Sequence, residues 1–412
     1  MTAGTQTARL ALVNGRLALP DGIVTGRTLI VTGDRIAAVT EGEEPGPGVE
    51  RFDLGGRLVT PGLIDLHQHG AGGRGFDETE DEAWQTIAAE NARHGVTTVV
   101  ATLAAAPLPD LIERLTFARE YLGSASGSAS GTVSGDVPGE ARIAGVHLEG
   151  PYLNPAQAGA LDPGCLRRPD DGTAAELLAF TDIIRMMTVA PELPGALELV
   201  AELAGCGIVP AAGHSDARDE VVEAAVGAGL RHVIHLWSCQ SSTIREGPWR
   251  RPGLLEAALA SDDLTAEIIA DDRHLPPTLM KLAWRCLGPD RLCLVSDAVA
   301  GAGLPEGSRY TVAGREYEVR DGVGMMPDRS AFAGSTTLLG RMLGIVIGEV
   351  GVPSAEAVHM ASTTPARVLG LDGSRGALEP GFVADLAVFE DDFTAWRTMI
   401  GGRWVFCRES EA

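Results

Sequence analysis

Apolar positions recur along this chain in two rhythms, and the change from one to the other divides it. Residues Leu10 to Thr40 alternate short apolar runs with turns at Asn14-Gly15, Asp21-Gly22 and Gly33-Asp34, which is the pattern of β-hairpins. The far end returns to that style in Gly376 to Gly381, Ala384 to Phe389 and Gly401 to Phe406. Neither block is large enough for a core of its own, so the two are expected to pair into one small β domain. Between them, strand-like runs alternate with helix-period stretches such as Asp81 to Arg93, Ala174 to Phe180, Asp219 to Ala228 and Ser354 to Leu369, which predicts parallel β/α units. With 412 residues the chain exceeds one compact domain. The expected partition is 1–60 with 375–412 for the β domain and 61–374 for a larger one of barrel size. Ser124 to Gly139, a Ser/Gly/Ala-rich stretch with little apolar area, is expected to be a flexible surface loop.

The same strand-like runs deliver chemistry at their C-terminal ends. The run Leu58 to Leu66 ends in His67-Gln68-His69, followed by Gly70, Gly72, Gly73 and Gly75. Side chains two apart on a strand point the same way, so two imidazoles there could grip one ion while the glycines let the chain turn aside. His-x-His pairs also occur by chance on surface strands, and this one gains weight only from the strand ends further along the chain. Arg142 to Val146 leads to His147 and Glu149, Gly207 to Gly213 to His214, His232 to Ile234 to His235, and Arg291 to Ser296 to Asp297. Parallel barrels carry their active sites at that end of the strands.

Composition narrows the class. A hydrophobic fraction of 45% and a charged fraction of 22% describe an ordinary soluble globular protein, and a net charge of −23 excludes a nucleic-acid partner, which needs a basic face. Met1 to Arg9 is polar, and no run approaches the roughly 18 apolar residues of a membrane span, so no membrane association and a cytoplasmic location are expected. Six scattered cysteines without a Cys-x-x-Cys read as free thiols, with Cys239 near a candidate ligand. Lys281 is the sole lysine.

Taken in order, Pro61 to Gly70, His94-Gly95-Val96-Thr97-Thr98, His147 to Asn154, Ala190-Pro191-Glu192, Ala212 to Ser215, His235-Leu236, Ile269-Ala270-Asp271 with His274, Ser296-Asp297-Ala298, Ala333-Gly334-Ser335 and Thr364-Pro365-Ala366 resemble the amidohydrolase superfamily, in its N-acetylglucosamine-6-phosphate deacetylase branch. His147-Leu148-Glu149-Gly150-Pro151 is the most specific piece. The resemblance implies an α/β fold, a (β/α)8 TIM-type barrel with a small β-sandwich built from both termini. It implies one or two divalent ions, zinc foremost with iron or manganese as alternatives, held by Glu149, His214 and His235, with His67 and His69 available for a second ion bridged through Glu149. Many relatives bridge two metals with a carbamylated lysine; Lys281 lies in a helix-like segment and cannot be that bridge, which favours a carboxylate.

The implied reaction is removal of the acetyl group from N-acetylglucosamine 6-phosphate. A bound divalent ion brings the pKa of water from about 15.7 to about 7. Asp297 would take the water's proton and return it to the leaving amine, and His274 would polarise the acetyl oxygen. The plain alternative for Asp297 is a helix N-cap. His147 reads as a partner of a ligand or as packing, and His94, His232 and His359 as structural or solvated.

The substrate side departs from the family's pattern. Ser238-Cys239 stands where the branch carries Asn-Ala, Leu161 after Ala160 where relatives carry a sugar-contacting histidine, and Asp272 where Gly is usual. The phosphate-pairing arginine aligns with Arg250 or, approximately, Arg245. Phe332, Ala333 and Gly334 complete the candidate substrate-binding set. Trp237 and Trp249 read equally as sugar-stacking or core residues. Alternatives are an amidohydrolase acting on an unphosphorylated N-acetyl sugar, an N-acyl amino acid or a cyclic amide, and a non-catalytic barrel scaffold. A homodimer is implied by the resemblance.

Overall fold

The structure, a computed structural model, describes residues 9–42, 48–125, 140–312, 315–325, 329 and 332–408. Most of the Ser124 to Gly139 stretch lies outside the described residues.

Eight parallel strands form the central sheet: β1 (Leu63–Gln68), β2 (Val96–Ala104), β3 (Arg142–Glu149), β4 (Ile184–Val189), β5 (Val209–Ala212), β6 (His232–Val233), β7 (Thr265–Ile269) and β8 (Leu292–Val295), paired in sequence order. The sheet closes on itself beyond β8. The backbone N–H of Asp297 donates to the carbonyl of His67 at 2.8 Å, the N–H of Ser296 to the Asp65 carboxylate at 3.1 Å, and Gln68 bridges Ala298 in parallel. Closure removes both sheet edges and brings the ends of β1 and β8 together, so side chains from opposite ends of the barrel sequence share one mouth.

Helices pack around the strands. In α1 (Asp81–Arg93) the buried face is Ala83, Trp84, Ile87, Ala88, Asn91 and Ala92, a helical period facing the barrel. Asp81 and Glu82 in its first turn and Arg93 in its last complement the helix dipole. Helix α2 (Leu108–Ala125) follows β2, the crossover after β3 carries the short α3 (Ala174–Leu178), and α4 (Ala196–Gly205), α5 (Asp219–Ala228), α6 (Leu254–Ala260) and α7 (Pro277–Leu287) follow β4 to β7. After β8 comes α8 (Leu339–Ile345). The Ser354 to Leu369 stretch is two helices, Ser354–Ala361 and Thr363–Val368, broken at Ser362, whose hydroxyl bonds back to the Val358 carbonyl.

Both termini supply strands to two further sheets. One has the order Arg35–Glu41, Arg27–Thr32, Arg9–Val13, Glu50–Asp53; in the other, Leu58–Pro61 sits between Leu386–Phe389 and Arg16–Leu19. Leu12, Leu17, Leu29, Ile36, Val59, Leu386, Val388 and Met399 form the core between them. Gly62 carries the chain from this sandwich into β1, and a Cβ there would stand 2.1 Å from the Thr97 hydroxyl oxygen, so only glycine permits the close crossing. Arg142, at the start of β3, pairs with Asp385 at 3.2 Å and ties barrel to sandwich.

Two insertions decorate the barrel. An exposed hairpin, Ile244–Glu246 with Trp249–Arg251, follows β6. An antiparallel sheet of Arg309–Val312, Arg315–Arg320, Val323–Met325 and Phe332–Ser335 follows β8. Among the described residues no helix is long and apolar enough to cross a membrane.

Candidate metal centre

The mouth of the barrel gathers the residues that ended the apolar runs. Glu149, at the end of β3, is buried, and its Oε1 lies 3.1 Å from Nε2 of His214 and 3.0 Å from Nε2 of His235. Its Oε2 lies 3.3 Å from Nε2 of His69, and Nε2 of His67 is 3.6 Å from Oε1. Asp297 closes the ring, with Oδ1 3.3 Å from Nε2 of His69 and 3.7 Å from Nε2 of His67. Donor atoms about 2 Å from one zinc ion are separated by roughly 3 Å, so these spacings suit ligands of a shared cation. Two sets, His67 with His69 and Asp297, and His67 with Glu149 and His235, bring their donor atoms within 4.8 Å of one another.

One atom tests whether a cation fits. Nε2 of His67 is fully buried and has no hydrogen-bond partner among the described residues, while Nδ1 of the same ring faces Glu267 at 3.0 Å. An orphaned buried nitrogen aimed into a group of carboxylates fits a divalent ion. His214 is oriented alike, its Nδ1 2.8 Å from the Gln157 carbonyl, which leaves Nε2 for the cluster.

The backbone is bent to deliver these groups. His214 (φ 47°), His235 (φ 23°) and Asp297 (φ 46°) all leave their strands in the left-handed region, as do Trp237 (φ 70°) and Cys239 (φ 53°). Each such residue costs on the order of 1–3 kcal/mol, and such strain concentrates at functional sites.

Electrostatics follow from crowding. Burial alone raises the Glu149 carboxyl, but hydrogen bonds from His214, His235 and His69 outweigh it and hold the group well below its usual range. Asp297 is likewise lowered against burial by His67, His69 and His235. Burial pushes His67 and His69 down, and the carboxylates around them overcome it, bringing them to about 9 and about 10. Without a cation the cluster therefore holds protons in its place.

His274 stands beside this group. Its Nδ1 is 2.8 Å from Asp271, and burial, which lowers its pKa, is outweighed by Asp271 and by the charge of Asp297. Phe332 packs edge-on against its ring at 5.2 Å. Gly334 lies against Asp297: the Ser335 N–H donates to the Asp297 carbonyl at 2.9 Å, and a Cβ on Gly334 would meet that carbonyl at 2.8 Å. Gly334 thus borders the backbone that carries the acid, and Ala333 packs against the cluster that includes Val299. The Gly159 turn that leads into Ala160 and Leu161 passes over the cluster, since a Cβ there would be 2.4 Å from Sγ of Cys239 and 3.7 Å from the His214 ring. Ser238 is tied to the His235 carbonyl at 3.0 Å.

The family model for "Amidohydrolase family" matches residues 58–405. The chain belongs to the amidohydrolase family. It is 30% identical over 398 residues to an N-acetylglucosamine-6-phosphate deacetylase of Haemophilus influenzae, covering 96% of this chain and 99% of that protein. It is also 30% identical over 389 residues to an N-acetylgalactosamine-6-phosphate deacetylase of Escherichia coli O157:H7, covering 94% and 97%. The crystal structure of the N-acetylglucosamine-6-phosphate deacetylase from Pasteurella multocida is similar over 96% of this chain and 99% of that one, with a TM-score of 0.86 at 28% identity.

In this amidohydrolase Lys281 sits on α7, away from the barrel strands, and Glu149 stands where cluster groups from β1, β5 and β6 converge. Arg245 and Arg250 face one another across the exposed hairpin, and among the described residues no hydrogen bond or ion pair joins either to the cluster. Trp249 is 72% exposed, while Trp237 packs partly into the barrel core. His147 bonds to Thr188 at 2.8 Å and meets His67 edge-on at 4.7 Å.

Glu267 has no place in the sequence reading, and Glu192 stands there only within Ala190-Pro191-Glu192, with no role of its own. Glu192 follows β4 and accepts from Asn154 (2.8 Å), the Ser215 hydroxyl (2.7 Å) and the Asp216 N–H (2.6 Å), fixing the loops after β3 and β5 to each other. Glu267, inside β7, contacts His67, His232 and the His235 N–H. A carboxylate amid the apolar residues of a barrel strand was the signal that could have found it.

Proposed function

We propose that this amidohydrolase removes the acetyl group from N-acetylglucosamine 6-phosphate, giving glucosamine 6-phosphate and acetate. The observation that carries the reading is Glu149 standing within 3.0–3.3 Å of His214, His235 and His69, with the donor atoms of His67, Glu149 and His235 close enough for one cation and the Asp297 carboxylate 3.3 Å from His69. Glu149, His214 and His235 would hold the principal ion and His67 with His69 a second. Imidazole and carboxylate donors favour zinc, with iron or manganese as alternatives.

When bound, the ion supplies Lewis acidity that makes water a nucleophile near neutral pH. Asp297 accepts a proton from the attacking water and passes it to the amine nitrogen as the C–N bond breaks. A carboxylate is ordinarily ionised near neutral pH and so able to accept. His274, oriented by Asp271, donates to the oxygen on which negative charge grows. Phe332, Ala333 and Gly334 on one side and Ala160, Leu161, Ser238 and Cys239 on the other would enclose the sugar.

Arg245 and Arg250 are the candidates for the phosphate. Of the three arginines on the hairpin, Arg251 is engaged by Glu220 (3.0 Å) and Glu246 (3.1 Å), whereas among the described residues no carboxylate pairs with the other two. The protein would act in the cytoplasm as a homodimer. Acetate release from N-acetylglucosamine 6-phosphate, N-acetylgalactosamine 6-phosphate, their unphosphorylated forms and N-acetyl amino acids tests the reading. Turnover of the amino acids with inert sugars would overturn it.

A further inference from the structure

We infer that Glu267 is a positioning residue of the metal centre, fixing the His67 ring so that Nε2 faces the cation and joining that ring to the strand that carries His235. The inference rests on the metal-dependent reading above and adds a residue to it. Glu267 lies inside β7 with no exposure. Oε2 is 3.0 Å from Nδ1 of His67 and accepts from the His235 N–H at 3.3 Å; Oε1 is 2.9 Å from Nε2 of His232. The far side of the His232 ring, Nδ1, meets the Thr265 hydroxyl at 2.7 Å.

An ionised carboxylate can only accept, so the short contact requires His67 to carry its proton on Nδ1. With a cation in place of the second proton, Nε2 would present its lone pair; among the described residues this buried nitrogen has no hydrogen-bond partner, and it lies 3.6 Å from Glu149 and 3.7 Å from Asp297. Neutral imidazole with its Nδ1–H given to a carboxylate is also the more basic donor. Packing alone does not account for an acid here. A carboxylate in a barrel interior carries a desolvation penalty of about several kcal/mol, which an apolar side chain of similar size avoids. The neighbours of Glu267 on β7, Ala266, Ile268 and Ile269, are apolar and buried. Both Glu267 oxygens are spent on groups that lead to the centre.

The test is cation binding, read without turnover. Ion-free wild type, Glu267→Gln, His67→Ala and the double variant are titrated with zinc against a chromophoric chelator, and the melting temperature of each ion-free protein is measured. Gln can keep the hydrogen bonds by presenting its oxygen to His67 and its amide to His232, so the fold is expected to survive with a cooperative melt, at a lower temperature because one charge of a buried pair is gone. Glu267→Gln is expected to weaken, by about 10–100-fold, the same ion that His67→Ala weakens. The double variant is expected to lose no more than His67→Ala alone. Wild-type affinity in Glu267→Gln, or fully additive losses, would overturn the role. Nitrogen NMR of histidine-labelled, zinc-loaded wild type gives a second reading that needs no variant: the role requires His67 in the Nδ1–H form, and the opposite tautomer refutes it. Wild type that retains no divalent ion would sink the metal reading and this role together. Wild type that holds its ions as Glu267→Gln does sinks the role alone.

Discussion

Oδ1 of Asp297 lies 3.3 Å from Nε2 of His69, which places a carboxylate from the end of β8 inside a group of imidazoles that begins at the end of β1. Closure of the barrel makes this contact, because the backbone N–H of Asp297 is bonded to the His67 carbonyl. Asp297→Asn keeps the size and the backbone bond but removes the proton acceptor. Turnover is expected to fall by about 10²–10⁴-fold, the usual range for a lost acid/base group. The ion at Glu149, His214 and His235 should be retained. Acetate release measured beside metal content decides this, and near-normal turnover would remove Asp297 from the chemistry.

The ion-free protein should respond to pH in the opposite sense from the loaded one. Burial lowers the pKa of His67, His69 and His214, yet nearby acids, with Cys239 and Glu149 acting on His214, bring them to about 9, about 10 and about 10. These values lie above the ordinary imidazole value of about 6.5. A raised pKa contributes stability that is complete below the ordinary value and disappears as pH rises through the folded one. The melting temperature of the ion-free protein is therefore expected to drop between pH 7 and pH 10. Cation binding must displace those protons, so affinity should rise over the same interval, with proton release visible by calorimetry in buffers of different ionisation enthalpy. A flat melting profile without metal would contradict this assignment of charge.

Gly334 has φ 106°, and a Cβ there would stand 2.6 Å from Val299 and 2.8 Å from the Asp297 carbonyl. Gly334→Ala combines backbone strain with a collision against the chain that carries the acid. A loss of about 1–3 kcal/mol in stability is expected, together with a lower kcat at full metal content. Thermal melting and kinetics of the same preparation check both effects. Unchanged kcat would show that Asp297 keeps its place without the close approach.

Much of this centre was legible because a parallel barrel puts its chemistry at strand ends, where an apolar run stops at a charged or metal-binding side chain. His67, Glu149, His214, His235 and Asp297 all carry that mark. Helices whose burial follows a simple period were equally readable, and α1 and α5 have the expected bounds of Asp81–Arg93 and Asp219–Ala228. Features set by distant partners were not. Glu267 reads as one acid in an apolar strand until closure brings His67 beside it, and Glu192 acquires its role only when three donors from other loops meet it. The sheet formed by Arg309 to Ser335 has mixed polar and apolar positions and a broken register, so its pairing is written between strands more than within them. The break at Ser362 lies inside an otherwise continuous helical pattern and depends on a hydroxyl turned back to Val358.

Arg245 and Arg250 provide the test of phosphate recognition. They are cross-strand partners on one hairpin, in a chain whose net charge is −23, and the neighbouring Arg251 already has two carboxylates. A phosphate dianion accepts paired hydrogen bonds from a guanidinium, and hydrogen bonds to charged groups contribute about 1.5–3 kcal/mol each, or roughly 10–150-fold in binding. Arg250→Ala, Arg245→Ala and the double substitution are therefore compared on N-acetylglucosamine 6-phosphate and on N-acetylglucosamine. At least one arginine should lower kcat/KM for the phosphorylated substrate by about 10-fold or more, mainly through KM, and change the unphosphorylated substrate less than about 2-fold. The selective loss should shrink as ionic strength rises, since both side chains are exposed and their field is screened. Equal losses on both substrates, or none in the double variant, would place the phosphate site elsewhere and leave the hairpin without a part in binding it.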